Sequence, residues 1–291
     1  MQRKIKYQGG VTRFLCVKKA ESNKKRFAKE IGSHMIVNIK AQLRKVDFEL
    51  FSFSGASGFE DQMLSIYSFV FYAGVPLKWI IYSDKSYTEY HIRVFKEIFP
   101  FVEIKDWDIT KSFETNVYVK EYLSVSSMAK KLNIILGHTY KKAQSIYVDS
   151  DIVFYKNIVY YLNSNILSTG LWYVPDTLGN VKKHFGIERE SIYPLNSGLL
   201  ILNKDFDFED IHQYFNSLRG NYVYFSEQSS FEYALRKQGG QMLDPRQFII
   251  DTSDQFDFSN KFSPGDIAMR HYTSPVRHKM WQKGWKWHFV G

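Results

Sequence analysis

Two aspartates spaced two apart, Asp149 and Asp151, close one apolar run and open another. Ser145-Ile146-Tyr147-Val148 precedes them and Ile152-Val153-Phe154 follows. In extended backbone, side chains at i and i+2 share a face, so both carboxylates can converge on one cation. Two hard oxygen donors suit Mg²⁺ or Mn²⁺, with phosphate oxygens and water completing the shell. A divalent ion bridging a diphosphate makes that diphosphate a better leaving group. The pattern alone is cheap, because Asp-x-Asp occurs three times in this chain. Asp106 and Asp108 flank Trp107 and read as a loop after a short strand. Asp205 and Asp207 lead into Phe208-Glu209-Asp210, acids that precede and open a helix. Only the middle pair is bracketed by two strand-like runs.

The elements that must position this pair follow a regular order from Val46 onward. Residues 48–53 alternate as a strand, and Ser54-Gly55-Ala56-Ser57-Gly58 is a small-residue loop. Residues 59–72 have helical spacing and stop at Gly74-Val75-Pro76. A strand over 77–82 ends at Ser83-Asp84, a helix over 88–99 is closed by Pro100, and a third strand covers 101–104. One or two helices fill 121–136 before the Asp149 strand. Such alternation means βαβ units on a mostly parallel sheet, and ligands on such sheets sit beyond the carboxyl ends of the strands. Ser54 with its loop, Asp84 and Asp149-Ser150-Asp151 all fall at those ends, so one cleft could collect them. The second half is more mixed. It reads as a strand at 171–174, an irregular connection at 180–190, and a strand at 195–203. Helices at 208–218 and 226–237 follow, then a polar loop at 251–260 and a strand at 267–271, before a tail bearing Trp281, Trp285 and Trp287.

With 291 residues, the chain can bury a sizeable core as one large domain or two closely packed ones. Its apolar runs fall short of a membrane span, and the polar start shows no apolar signal region. A single cysteine, Cys16, excludes an intramolecular disulfide and a thiolate metal cluster, so a cytoplasmic setting is expected. The net charge is +9, but residues 1–34 hold ten Lys or Arg against two acids, which leaves +1 for the rest. Attraction to an anionic surface, with weak membrane contact as one form of it, therefore belongs to residues 1–34, and no nucleic acid partner is expected. This segment reads as a basic extension, with a helix near 18–31 and with Gly32-Ser33-His34-Met35 resembling a cloning scar. It is set apart from a domain over 35–291.

Residues 47–281 resemble the GT-A glycosyltransferases, most closely those of family 8. The strand with Asp149-Ser150-Asp151 resembles the metal-binding motif. Leu195-Asn196-Ser197-Gly198-Leu199-Leu200-Ile201-Leu202-Asn203 is similar to the strand lining the sugar pocket. His271-Tyr272-Thr273-Ser274-Pro275-Val276-Arg277 resembles the segment whose histidine completes the metal and whose basic residue six positions later holds the diphosphate. Met128-Ala129-Lys130-Lys131-Leu132 stands where the family has a basic residue near the motif, and Glu227-Gln228 resembles its acidic-Gln pair facing the donor sugar. Ser274 replaces the family's Gly and Arg277 its Lys, with His278 and Lys279 as rivals. The N-terminal donor-binding pattern is not clearly matched, so the base stays open.

The resemblance implies a Rossmann-like α/β fold with a mostly parallel central sheet flanked by helices, as a single large domain. It implies Mn²⁺ or Mg²⁺ on Asp149, Asp151 and His271. Imidazole nitrogen is accepted more readily by Mn²⁺ than by Mg²⁺. Asn196, Ser197, Gly198 and Lys130 would bind substrate, as would Asp84 and Ser54 on the nucleotide side. Gly198 fits close backbone approach to a ligand. Arg277 or Lys279 would hold the departing diphosphate, where charge develops. Gln228 and Glu227 would face the sugar. Family 8 resemblance favours retention of configuration, while inversion would need a carboxylate base, for which Asp176 or Glu227 could serve. The expected partners are a nucleotide-diphosphate sugar, a UDP-sugar foremost, and a glycan or other hydroxyl acceptor. Two alternatives stand beside this. One is a haloacid dehalogenase-type phosphatase with Asp149 as nucleophile and Asp151 as general acid. The other is a non-catalytic module that docks anionic partners through residues 1–34.

Overall fold

Strand β1 (Lys45–Ser54) shows how the core is built, because its neighbours Leu50 and Phe51 are both buried but belong to different apolar clusters. Successive strand side chains point to opposite faces, so a strand covered on both sides reads as a continuous apolar run. The same division splits Ile146 and Val148 from Tyr147 in β4 (Gln144–Val148), and Leu199 and Ile201 from Leu200 and Leu202 in β7 (Leu195–Asn203). The computed structural model describes residues 10–30, 35, 39, 42–108, 116–140, 142–159, 170–176, 194–254, 262 and 265–288. The connection expected over 180–190, most of the loop over 251–260 and residues 32–34 of the scar-like sequence lie outside them.

The remaining strands are β2 (Val75–Ser83), β3 (Val102–Asp106), β5 (Ile152–Phe154), β6 (Trp172–Pro175), β8 (Gln241–Met242), β9 (Phe248–Ile249) and β10 (Met269–His271). The main sheet runs β3-β2-β1-β4-β7-β6-β8, and a small sheet runs β5-β10-β9. Pairing is parallel from β3 to β4 and antiparallel between β4 and β7 and between β7 and β6. That reversal matters to function. It brings the first residues of β7 to the edge where β1, β2 and β4 have their last.

The helices are α1 (Gly10–Glu30), α2 (Phe59–Ala73), α3 (Glu89–Ile98), α4 (Val117–Val125), α5 (Met128–Thr139), α6 (Glu209–Leu218), α7 (Ser226–Lys237) and α8 (Arg277–Gln282). Side chains of α1, α2, α3 and α8 enter one apolar cluster and those of α4 to α7 the other, which gives three layers, helix on sheet on helix. The expected 121–136 region is two helices. The first starts earlier than expected, because the Asn116 side chain caps it by accepting from Tyr118 N at 3.0 Å and Val119 N at 3.1 Å.

Two expectations are corrected. Residues 10–30 are not a detached leader. Phe27 of α1 is 1% exposed and meets Trp281 edge-on at 4.9 Å, while Asn23 Nδ2 donates to Trp281 O at 2.8 Å. The helix docks because its buried positions, Cys16, Ala20 and Phe27, recur at spacings of four and seven along one stripe. The second correction concerns Asp149 and Asp151, which do not share one strand. They stand in a three-residue turn between β4 of the main sheet and β5 of the small one. Turn geometry, rather than pleat, aims both carboxylates the same way.

Candidate active site

The turn is fastened at both ends. Asp149 N–H donates to Gly198 O at 2.7 Å, from β7, and Asp151 O accepts from Tyr272 N at 2.8 Å, beyond β10. Register then does the rest. His271 sits opposite Ile152 in the small sheet, so a residue 120 positions downstream of Asp151 lies against it. His271 Nε2 is 3.0 Å from Asp151 Oδ1 and 3.6 Å from Asp149 Oδ2. One ligand atom from each of the three residues lies within 4.8 Å of the others, the only such group of possible metal ligands among the described residues.

The imidazole is held in one orientation. Gly198 N–H donates to Asn196 Oδ1 at 2.8 Å, which fixes the amide with its oxygen toward His271 Nδ1 at 3.0 Å. Nδ1 must therefore carry a proton, and Nε2 faces the carboxylates. Oriented ring nitrogens of this kind are what a metal-binding histidine needs. The glycine is required at 198, since a Cβ there would come 2.4 Å from His271 Cε1 and Nδ1. Two carboxylate oxygens and an imidazole nitrogen, which an ion would take in place of its proton, with backing from Asn196, are a donor set that fits Mn²⁺ or Mg²⁺.

Cations surround the pair. Lys131 Nζ donates to Asp149 Oδ2 at 2.9 Å and to Ser197 Oγ at 3.1 Å, and Tyr147 OH donates to Asp149 Oδ1 at 2.6 Å. Arg277, half-exposed at the head of α8, donates to Asp151 Oδ2. Burial pushes the Asp151 carboxyl up, but Arg277 and His271 outweigh it and hold it well below the ordinary range. Burial works against protonated His271, yet Asp151 and Asp149 raise its pKa on balance. Burial likewise disfavours the Lys131 ammonium, and Asp149 and Glu227 more than restore it.

On the β7 side a buried polar patch continues from these groups. Asn196 Nδ2 donates to Asp176 Oδ2 at 2.9 Å and to Gln228 Oε1 at 3.1 Å, and Gln228 Nε2 donates to Asp176 Oδ2 at 3.2 Å. Ser197 Oγ donates to Glu227 Oε2 at 3.1 Å, and Glu227 Oε1 lies 3.9 Å from Lys131 Nζ. Burial raises the Glu227 pKa, against the lowering pull of Lys131. Glu227 and Gln228 reach this place from the first turn of α7, where the helix dipole favours a carboxylate. Interleaved amides and carboxylates are the complement of a ligand rich in hydroxyls, which both donate and accept.

The structure thus gathers Asp149, Asp151, His271, Asn196, Ser197, Gly198, Glu227, Gln228, Asp176 and Arg277. Ser54 and Asp84 lie at the same sheet edge. Asp84 N donates to Ser54 O at 3.3 Å, and a Cβ on Gly58 would sit 3.1 Å from Ser54 Oγ and 3.5 Å from Ser150 Oγ. Two candidates fall elsewhere. Lys130 lies over the Trp107 ring at 5.3 Å, while its neighbour Lys131 holds Asp149, since adjacent helical residues point about 100° apart. Lys279 is buried with Nζ 3.5 Å from Asp254 Oδ2, beside the Arg270–Asp254 pair, so Arg277 alone of the two reaches Asp151. Tyr147 was missed because a strand tyrosine among apolar neighbours looks like packing. Its place two residues before Asp149, on the same side, was the available signal.

No family model matches the sequence, and no curated protein matches it. Solved structures do. The galactosyltransferase LgtC, in complex with donor and acceptor sugar analogues, is 12% identical, with 83% of this chain and 100% of that one covered and a TM-score of 0.55. Mouse xyloside xylosyltransferase 1 is 11% identical over 79% of this chain and 99% of its own, with a TM-score of 0.56. The glycosyltransferase GlyE of Streptococcus pneumoniae TIGR4 is 13% identical over 84% of this chain and 61% of that one, with a TM-score of 0.54. At such identities the likeness is one of fold, and the fold that this chain shares with all three is that of the GT-A glycosyltransferases.

Proposed function

We propose that this protein is a metal-dependent glycosyltransferase that moves a sugar from a nucleotide-diphosphate sugar, a UDP-sugar foremost, to a hydroxyl of a glycan or other acceptor. The observation that carries the reading is the meeting of His271 with Asp149 and Asp151 across 120 residues of chain, with Asn196 setting which ring nitrogen faces the carboxylates. The ion that these three would hold, Mn²⁺ or Mg²⁺, supplies positive charge to the diphosphate as it leaves. Arg277 is half-exposed and one bond from Asp151, so its guanidinium can turn to phosphate oxygens with its charge intact. Lys131 orients Asp149, and also holds Ser197 toward the patch of Glu227, Gln228, Asn196 and Asp176 that would bind the sugar hydroxyls.

Retention of anomeric configuration is the favoured outcome. Asp176 already accepts from two amides, and Glu227 accepts from Ser197 and faces Lys131, so both candidate bases are committed to internal partners. The phosphatase reading fares worse. It needs Asp151 to deliver a proton, whereas Arg277 and His271 hold that carboxyl ionised. A purified sample offered UDP-glucose, UDP-galactose and UDP-xylose with and without Mn²⁺ tests the proposal. Release of UDP that requires Mn²⁺ and disappears in Asp151→Asn is expected, with an acceptor glycoside giving a product of the donor's anomeric configuration by NMR. Turnover of a simple phosphate ester, with nucleotide sugars untouched, would overturn it.

A further inference from the structure

We propose that the outward face of α1 is a docking surface for an anionic phospholipid bilayer, a role independent of the sugar-transfer reading. The helix is pinned by its inner stripe, with Cys16, Ala20 and Phe27 buried, Asn23 bonded to Trp281 O, and Lys24 Nζ 3.0 Å from the buried Asp61 carboxylate. It cannot roll. What it turns outward is therefore fixed, and that face opens with Val11, Phe14 and Leu15, which are 76%, 60% and 57% exposed. The three lie at i, i+3 and i+4, on one side of the helix. Lys18, one turn further, stands with Nζ 5.8 Å from the Phe14 ring centroid, and Lys25 follows at a spacing of seven on the same side. Lys19 and Arg26 are exposed along its flank. The one acid described on this side, Glu21, is 2.9 Å from Lys18.

An apolar tip with a basic stripe behind it fits a bilayer surface better than it fits nucleic acid or water. The tip can enter the boundary between headgroups and acyl chains while the ammonium groups meet lipid phosphates and carboxylates. Charge complementarity is concentrated here, because residues 10–30 carry a net +5 while residues 35–291 carry +1. Among the described residues no helix is long and apolar enough to cross a membrane, so the contact is with a surface. The inner face of α1 rests on α8, whose first residue is Arg277. The surface would thus lie one helix away from the carboxylate site.

Co-sedimentation of the full chain with vesicles tests this. Partition into phosphatidylcholine vesicles containing about 30% phosphatidylserine should exceed that into pure phosphatidylcholine by about tenfold or more, and should fall with added salt. The paired substitutions Phe14→Ser with Leu15→Ser, and separately Lys18→Glu with Lys25→Glu, should each lower it about tenfold, with far-UV circular dichroism and melting temperature unchanged because these side chains are exposed. Equal partition into both vesicle types, indifference to either pair of substitutions, or binding of a single-stranded RNA oligonucleotide without vesicle binding would each overturn the proposal.

Discussion

The oxygen of the Asn196 side chain is claimed by a backbone N–H, that of Gly198, and a backbone donor cannot exchange roles. The nitrogen of the amide is left facing Asp176 and Gln228, and the histidine ring has no choice but to present Nε2 to the carboxylates. Removing the amide with Asn196→Ala should free the ring to take the other tautomer. Affinity for Mn²⁺ should then fall by about 10- to 100-fold, read by the electron paramagnetic resonance of free Mn²⁺ in a titration. Unchanged affinity would show that the ring is oriented by something else. The two neighbouring lysines of α5 divide just as sharply. Lys131→Met strips a buried cation from Asp149, Ser197 and Glu227, and should lower UDP release by about a hundredfold or more, whereas Lys130→Met should change it by less than about twofold. Comparable losses in both would place the functional cation wrongly.

Helix α1 contributes to the domain it packs on. Phe27 is fully enclosed by Trp281 and Trp285, with ring centroids 4.9 and 6.2 Å away. Phe27→Ala should cost about 3–5 kcal/mol of stability, as other large-to-small changes in cores do, measured as a shift of the urea midpoint at constant slope. A midpoint that stays put would mean that α1 is dispensable to the fold. This docking was hard to read from sequence because Phe27 stands among Lys24, Lys25, Arg26 and Lys29, where charge density dominates any window average. The strands and helices from β1 to β4 were legible, because burial on both faces turns central strands into unbroken apolar runs. That same continuity hid the break at Asp149-Ser150-Asp151, whose flanks are equally apolar although they belong to different sheets. Lys131 was blurred for a related reason. Residues 131–136 of α5 are all buried, so no polar stripe separates its inner from its outer face. His271, Asn196 and Glu227 could be named only through family likeness, since nothing local in sequence says that three distant segments meet.

At the scale of the whole molecule, two of the described histidines, His138 and His288, are buried where burial disfavours their charged form. The His138 ring is stacked on Phe51, accepts from Lys142 Nζ at 3.0 Å and lies 3.4 Å from Glu49. Burial, then Lys142 and Lys105, push its pKa down from 6.5 to about 3. His288 donates to Phe154 O at 2.8 Å, and burial takes its pKa to about 4. Both take up protons more readily when unfolded. Their contribution is therefore complete above about pH 6.5 and is lost as pH falls toward 4, at about 1.4 kcal/mol per unit for each. Glu227 and Asp61, with raised values, oppose this trend, so the clean measurement is a difference. Urea unfolding of the parent and His138→Gln between pH 7 and pH 4 should show the shallower slope in the variant, by about one proton. Parallel curves would mean that His138 is protonated in the fold. The turn that bears Asp149 and Asp151 has one further consequence. It is the joint between the two sheets, tied to Gly198 on one side and to Tyr272 on the other, with His271 riding on the smaller sheet. The spacing of the three donor atoms is therefore a gauge of how the sheets sit against each other. Any substitution that shears that seam, however far from the sugar pocket, should reach the chemistry by spoiling the grip of all three at once.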